Sequence, residues 1–218
     1  MPKYKLVCFD VDGTLIDNVK FSWQIFHDYF QTDRHRREDA KNRFFNGQIT
    51  YKEWAEHDIN LWKERNAKKD DFFKAINHLS LMEGAMETLN ELKKHGIKLA
   101  IISGSLNILI EKFIPNYNDF FDDVFISNIY FDEDGGIARV EATEYDMDGK
   151  ALALRKIAVR EGFDLEECAF VGDYLNDFRI MKDVGLGIAF NCEHEELKEV
   201  ADVVIDKKDL REILRHIL

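Results

Sequence analysis

Five short apolar runs punctuate the chain: residues 5–9 (KLVCF), 97–103 (IKLAIIS), 168–171 (CAFV), 187–190 (GIAF) and 203–205 (VVI). They read as near-continuous apolar stretches rather than as an alternation of apolar and polar residues. Each therefore predicts a strand covered on both faces, as in a parallel sheet. Helical patterns lie between most of them. Residues 84–95 (GAMETLNELKKH) end at Gly96 and residues 150–161 (KALALRKIAVRE) at Gly162, each glycine standing where a left-handed residue terminates a helix. Residues 176–184 and 209–218 complete the set. Strand–helix alternation with short turns predicts a doubly wound parallel α/β sheet, whose ligand site lies beyond the carboxyl ends of the strands.

Two stretches break the rhythm. Residues 15–81 show no clear strand and read as several charged amphipathic helices that hold all three tryptophans, Trp23, Trp54 and Trp62. They predict a small helical unit with its own aromatic core, some of whose rings could wall a pocket over the site. Residues 124–141 contain two strand-like runs flanking DEDGG at 132–136, which predicts a small β-hairpin. The division expected is residues 1–14 with 82–218 as one core, and 15–81 as an insertion.

With 218 residues the chain is long enough for an α/β domain and a modest insertion. A net charge of −12 argues against non-specific binding to nucleic acid or to an anionic membrane. The longest apolar stretch, near 97–110, is interrupted by polar residues and too short to span a bilayer. MPKYK leads straight into a strand with no secretory leader, so a cytoplasmic location is expected. Cys8, Cys168 and Cys192 have no zinc-like spacing. Cys8 and Cys168, in apolar runs, read as small core residues.

The candidate chemistry begins with Asp10-Val11-Asp12-Gly13-Thr14, directly after an apolar run. At average residue usage D-x-D-G-T arises by chance in roughly 2 of 1,000 chains of this length. Two carboxylates at a strand end can converge where Gly13 lets the chain turn. They suit a nucleophile and metal ligand at Asp10 and a proton donor and acceptor at Asp12. A carboxylate attacking a phosphate dianion meets charge repulsion, which Mg²⁺ removes, so further oxygen ligands are expected downstream. Asp173 follows a strand and a glycine, and Asp177 comes one helical turn later. Ile101-Ile102-Ser103-Gly104-Ser105 ends a strand, with the hydroxyl of Ser103 and free N–H groups from Gly104 on at an expected helix start, where they could hold an anion. Lys150 opens a helix, where the dipole disfavours a cation, and a phosphate partner would explain its place there.

These elements, in this order, resemble the haloacid dehalogenase superfamily, and the second acid, Asp12, is similar to its phosphatase branch. The GK helix at 149, VGDYLNDFRIMKDVGLGIAF and VVIDKKDLREIL resemble the phosphoserine phosphatase-like group most. The resemblance implies a Rossmann-like core with residues 15–81 as a mobile cap, and a small phosphorylated metabolite as substrate. It implies that Asp10 attacks and Asp12 acts as acid and base while offering its main-chain carbonyl to Mg²⁺. Ser103 and Lys150 would hold phosphate, Asn176 would reach it, and Asp173 and Asp177 would serve the metal.

Two positions depart from that group. Val19 stands where a cap glutamate meets the serine amino group, and Glu56 where an arginine pairs with its carboxylate. Glu56 in the pocket would repel a carboxylate, so a small phosphate monoester other than phosphoserine is the expected main substrate. Phosphoserine itself, or phosphoryl transfer as in a phosphomutase, are the alternatives. A non-enzymatic switch phosphorylated at Asp10 would need neither Asp12 nor a cap. The chain is expected to act as a monomer or homodimer.

Overall fold

In the computed structural model, which describes residues 2–218, strand β1 (Leu6–Phe9) sends its side chains alternately to two apolar clusters. Leu6 and Cys8 join one, Val7 and Phe9 the other. That two-sided burial explains the unbroken apolar run. β1 lies at the centre of a seven-stranded sheet of order β6-β5-β4-β1-β7-β8-β9, formed by β4 (Lys98–Leu106), β5 (Asp123–Phe131), β6 (Ile137–Glu141), β7 (Cys168–Gly172), β8 (Leu186–Phe190) and β9 (Val203–Ile205). All neighbours pair in parallel except β5 and β6.

All five predicted runs are strands of this sheet. The predicted hairpin is also present, but it belongs to the same sheet. β5 pairs with β4 through its first half and with β6 through its second. Gly135 at the tip adopts φ 74°, and Asp132 Oδ1 accepts the Gly136 N–H at 2.7 Å.

Helices α5 (Ala85–Lys94), α6 (Asn107–Phe113), α7 (Tyr117–Phe120) and α11 (Leu214–Ile217) cover one face of the sheet. Helices α8 (Gly149–Glu161), α9 (Phe178–Asp183) and α10 (Glu195–Lys198) cover the other. Among the described residues, no helix is long and apolar enough to cross a membrane.

The stretch after β1 holds helices α1 (Ser22–Phe30), α2 (Arg34–Phe45), α3 (Tyr51–Glu64) and α4 (Lys69–Ala75). Local signals start two of them. Asp33 accepts the His35 and Arg36 N–H groups ahead of α2, and Thr50 with Glu53 forms a capping box on α3. Two features differ from the sequence expectation. A two-residue ribbon pairs β2 (Ile16–Asp17) with β3 (Ser80–Leu81), where the chain leaves and rejoins the sheet. Two residues are too few to leave a periodic signal.

The aromatic core of these helices is also not separate. Trp23, Phe26, Trp62 and Phe72 pack together and run into the cluster on one sheet face, with Phe72 5.6 Å from Phe131 of β5. Polar contacts fix the same end. The Lys69 N–H donates to Gly135 O at 2.8 Å, and Lys112 Nζ reaches Phe73 O and Asn77 Oδ1. Helix α2, by contrast, buries only Ala40.

Candidate active site

The carboxyl ends of β1, β4 and β7 converge on one group of polar side chains. Asp10 follows β1 and is tied to β7 by its N–H, which donates to Val171 O at 3.0 Å. The chain then turns back at once, with Gly13 N–H donating to Ile16 O and Ile16 N–H to Val11 O. Gly13 is required twice over. Its φ is 74°, and a Cβ there would lie 2.1 Å from Asp173 Oδ2.

Asp10, Asp173 and Asp177 form one buried cluster, with an oxygen from each lying within 4.8 Å of the others. Lys150, whose side chain is 0 % exposed, sits between them, its Nζ 2.9 Å from Asp10 Oδ2 and 2.6 Å from Asp177 Oδ1. The helix-opening lysine is therefore held in place by two carboxylates. They push its pKa far up despite burial, so it is charged. Three carboxylates face one ammonium, which leaves two negative charges uncompensated. Burial, with repulsion from Asp10, raises the Asp173 pKa well above the ordinary range, and burial raises that of Asp177.

Each carboxylate is oriented by neighbours. Asp10 Oδ1 accepts the Val11 N–H at 2.8 Å, and Asp173 Oδ1 accepts the Thr14 hydroxyl at 3.2 Å. Asp177 Oδ2 accepts the N–H groups of Asp173 and Tyr174. An all-oxygen donor set with an excess of negative charge fits a small hard dication.

Asp12 is turned away from this cluster. Its Oδ2 accepts the Ser22 N–H at 2.6 Å and its Oδ1 the Ser105 hydroxyl at 2.8 Å. Burial pushes its pKa up to about 6, against the lowering effect of those hydrogen bonds, while the Asp10 charge pushes the same way as burial. Only its main-chain carbonyl remains for the metal role expected of it.

Ser103 and Gly104 lie at the expected level, but not at a helix start. β4 continues to Leu106, with an irregular register after Ile102, and α6 begins at Asn107. The hydroxyl of Ser103 accepts the Ser105 N–H at 3.1 Å. Asn176 donates to Asp146 Oδ1 at 2.9 Å, and its own Oδ1 is buried without a partner among the described residues.

A cavity of about 300 Å³ opens over Asp10, Asp12 and Ser103, and α1, α2 and α3 wall its outer side. Glu56 is not part of it. It lies on the outer face of α3, 46 % exposed, with Lys52 4.0 Å away. The expectation that Glu56 would repel a substrate carboxylate is thereby corrected. Ridge positions in a loose helical segment do not reveal which way a helix is rotated. Val19 is buried and lines a neighbouring cavity with Asp17 and Asp173.

Sequence reading missed Thr14, Ser22, Ser105 and Asp146. Thr14 and Ser105 lie inside the quoted motifs and could have been weighed. Nothing local marks Ser22 or Asp146.

The family model for haloacid dehalogenase-like hydrolases matches residues 4–185. The chain belongs to that family. Members similar to it include the phosphoserine phosphatase of Methanocaldococcus jannaschii, 33% identical over 99% of this chain and 98% of that one. Another is the phosphoserine phosphatase of Archaeoglobus fulgidus, 29% identical over 94% of this chain, which spans 58% of that longer protein. Among solved structures, a phospho-aspartyl intermediate analogue of a phosphoserine phosphatase superposes with a TM-score of 0.74. It is 31% identical and covers 99% of both chains. The matched span includes Asp10, Asp12, Lys150, Asp173 and Asp177.

Proposed function

We propose that the chain is a Mg²⁺-dependent phosphatase that hydrolyses a small phosphate monoester through an aspartyl-phosphate on Asp10. The observation that carries this reading is the pairing of two unlike acids. Asp10 is paired with the Lys150 ammonium at 2.9 Å, while Asp12, two residues on, has two hydrogen-bond donors and a pKa raised by burial to about 6. Asp10 Oδ1 keeps a lone pair free beyond its bond from Val11 and is the nucleophile. Its attack on phosphorus breaks the bond to the alcohol oxygen, which takes the proton from Asp12. Asp12, now ionised and oriented by Ser22 and Ser105, then accepts a proton from the water that attacks the acyl phosphate.

Lys150 meets phosphate charge directly, and Ser103 and Asn176 contribute polar groups at the floor of the cavity. Mg²⁺, held by Asp10, Asp173 and Asp177, supplies the positive charge that lets an anionic nucleophile approach an anionic ester. We read residues 15–81 as a cap over this reaction, because α1, α2 and α3 supply the outer wall.

Phosphoserine is the substrate that the named relatives support best. The objection built on Glu56 no longer stands, and Lys41 lines the cavity, where its ammonium can meet a carboxylate. The test is release of phosphate from phosphoserine with Mg²⁺, set beside the same assay on Asp10→Asn. Release by wild type and none by the variant is the expected result. Equal release by both would place the nucleophile elsewhere.

A further inference from the structure

The outer half of the cavity over Asp10 is unlike its floor. Phe21, Trp23, Phe45, Tyr51 and Trp54 line it, so five aromatic rings face the space that a leaving group would enter. Two of them stand in water, Phe21 at 47 % and Phe45 at 61 % exposure, the latter the most exposed phenylalanine of the chain. Trp54 is held rigid by Phe44, stacked at 5.1 Å and 26°, and by Tyr51 edge-on at 5.9 Å. Its indole N–H is shut off from solvent with no acceptor among the described residues. A wall of fixed rings with one unused donor is a stacking platform.

Several polar groups near that wall are already engaged. Asp146 takes the Asn176 amide and lies beside the Tyr51 hydroxyl, and Lys20 pairs with Glu193. Trp23 Nε1 donates to Gly104 O at 2.9 Å. No side chain with a free carboxylate is left to demand an ammonium group from the substrate. A site rejects an analogue strongly only when its own buried polar groups would be left unpaired. Here a ring in place of an amino-acid head leaves no carboxylate of the wall unpaired.

We propose that this cavity also accepts phosphate monoesters whose alcohol carries a planar aromatic ring, a substrate class beyond phosphoserine. This rests on the reading of Asp10 as nucleophile. The phosphoryl group meets Lys150 and Asp10, and the ring lies among Phe21, Phe45 and Trp54, covering apolar surface that otherwise faces water. At about 300 Å³ the cavity is at the small end of ligand pockets, which suits a single ring rather than a polycyclic group.

Aryl esters would confuse ring recognition with leaving-group acidity, so the test uses benzyl phosphate against n-propyl phosphate, whose alcohols are similarly weak acids. With Mg²⁺, benzyl phosphate should show a KM about tenfold lower at similar kcat, the size expected of aromatic stacking with added burial. The non-hydrolysable benzylphosphonate should bind about tenfold more tightly than propylphosphonate in calorimetry. Trp54→Leu and Phe45→Leu together should bring both benzyl-to-propyl ratios close to one. Equal KM and equal affinity in wild type, or a ratio that survives the double variant, would overturn the proposal. Tight benzylphosphonate binding without hydrolysis of either ester would support the aromatic wall and overturn Asp10 as nucleophile.

Discussion

The floor and the outer wall of the cavity are built on opposite principles. At and beneath the floor, Asp10, Asp12, Asp173, Asp177 and Lys150 are buried, and each is held by at least one bond to a neighbour at fixed distance. The wall is apolar, carried on helices, and partly open to water at Phe21 and Phe45. Preorganised charge serves bond making and breaking, because groups that need not move at the moment of reaction contribute most in a water-poor site. The aromatic wall, on our reading, sets which alcohol is accepted. Substitutions on the floor should therefore change turnover, and substitutions on the wall should change only preference.

The largest effect expected is from Asp10→Asn, which should abolish steady-state turnover while circular dichroism stays native. Removal of one of three clustered carboxylates relieves repulsion, so the melting temperature should not fall. Residual turnover above a thousandth of wild type would break the assignment. Asp12→Asn should lower kcat by about 10²–10⁴ for esters of poor leaving groups. The loss should shrink for p-nitrophenyl phosphate, whose alcohol needs no proton, and an equal loss for both would show that Asp12 is not the acid. Lys150→Met should destabilise the fold by about 3–5 kcal/mol, because it leaves buried carboxylates without their partner. Urea unfolding would read this, and a change under 1 kcal/mol would mean that the buried pair is not structural.

The fourth prediction concerns pH and metal together. Without metal, Asp173 and Asp177 have pKa values above those of an unfolded chain, so the folded state binds more protons than the unfolded one. Stability from these groups therefore falls as pH rises through their unfolded pKa towards the raised folded one. Mg²⁺ must displace those protons, so its affinity should rise with pH, by up to about tenfold per unit for each proton released. The Mg²⁺-induced rise in melting temperature should accordingly be larger at pH 8 than at pH 5, and a rise independent of pH would refute it. The smallest effect belongs to Glu56→Ala. On an exposed helix face it should stay within about 0.5 kcal/mol of wild type in stability and leave substrate preference unchanged.

Legibility followed the same division. Asp10-x-Asp12-Gly13-Thr14 and Gly172-Asp173 through Asp177 are contiguous, each beside a strand whose apolar run is itself visible, so most of the floor could be read in advance. Lys150 was legible as an anomaly, a cation where the helix dipole disfavours one. Nothing marks Ser22, and although Ser105 lies inside a quoted motif, its partner Asp12 is 93 residues away, so the pairing is not legible. The extension of β4 past Ser103 was hidden because Gly104 and Ser105 look like a turn. For the wall, helices could be predicted but not their rotation. Glu56 is therefore expected inward, whereas Tyr51 and Trp54 are the α3 residues that line the cavity, beside Lys41 and Phe45 of α2.

Helix α2 has a further consequence for how the site exchanges its contents. It carries Lys41 and Phe45 at the cavity mouth, yet only Ala40 among its residues is buried. The opposite end of the helical segment is bound to the hairpin at Gly135 and to α6 at Lys112. Opening free energies scale with the apolar surface that must be uncovered, so α2 belongs to the least protected part of the chain. Its amides should exchange with solvent deuterium before those of α1 or α4. On this reading an exit past α2 would leave the Trp23–Trp62–Phe72 cluster packed.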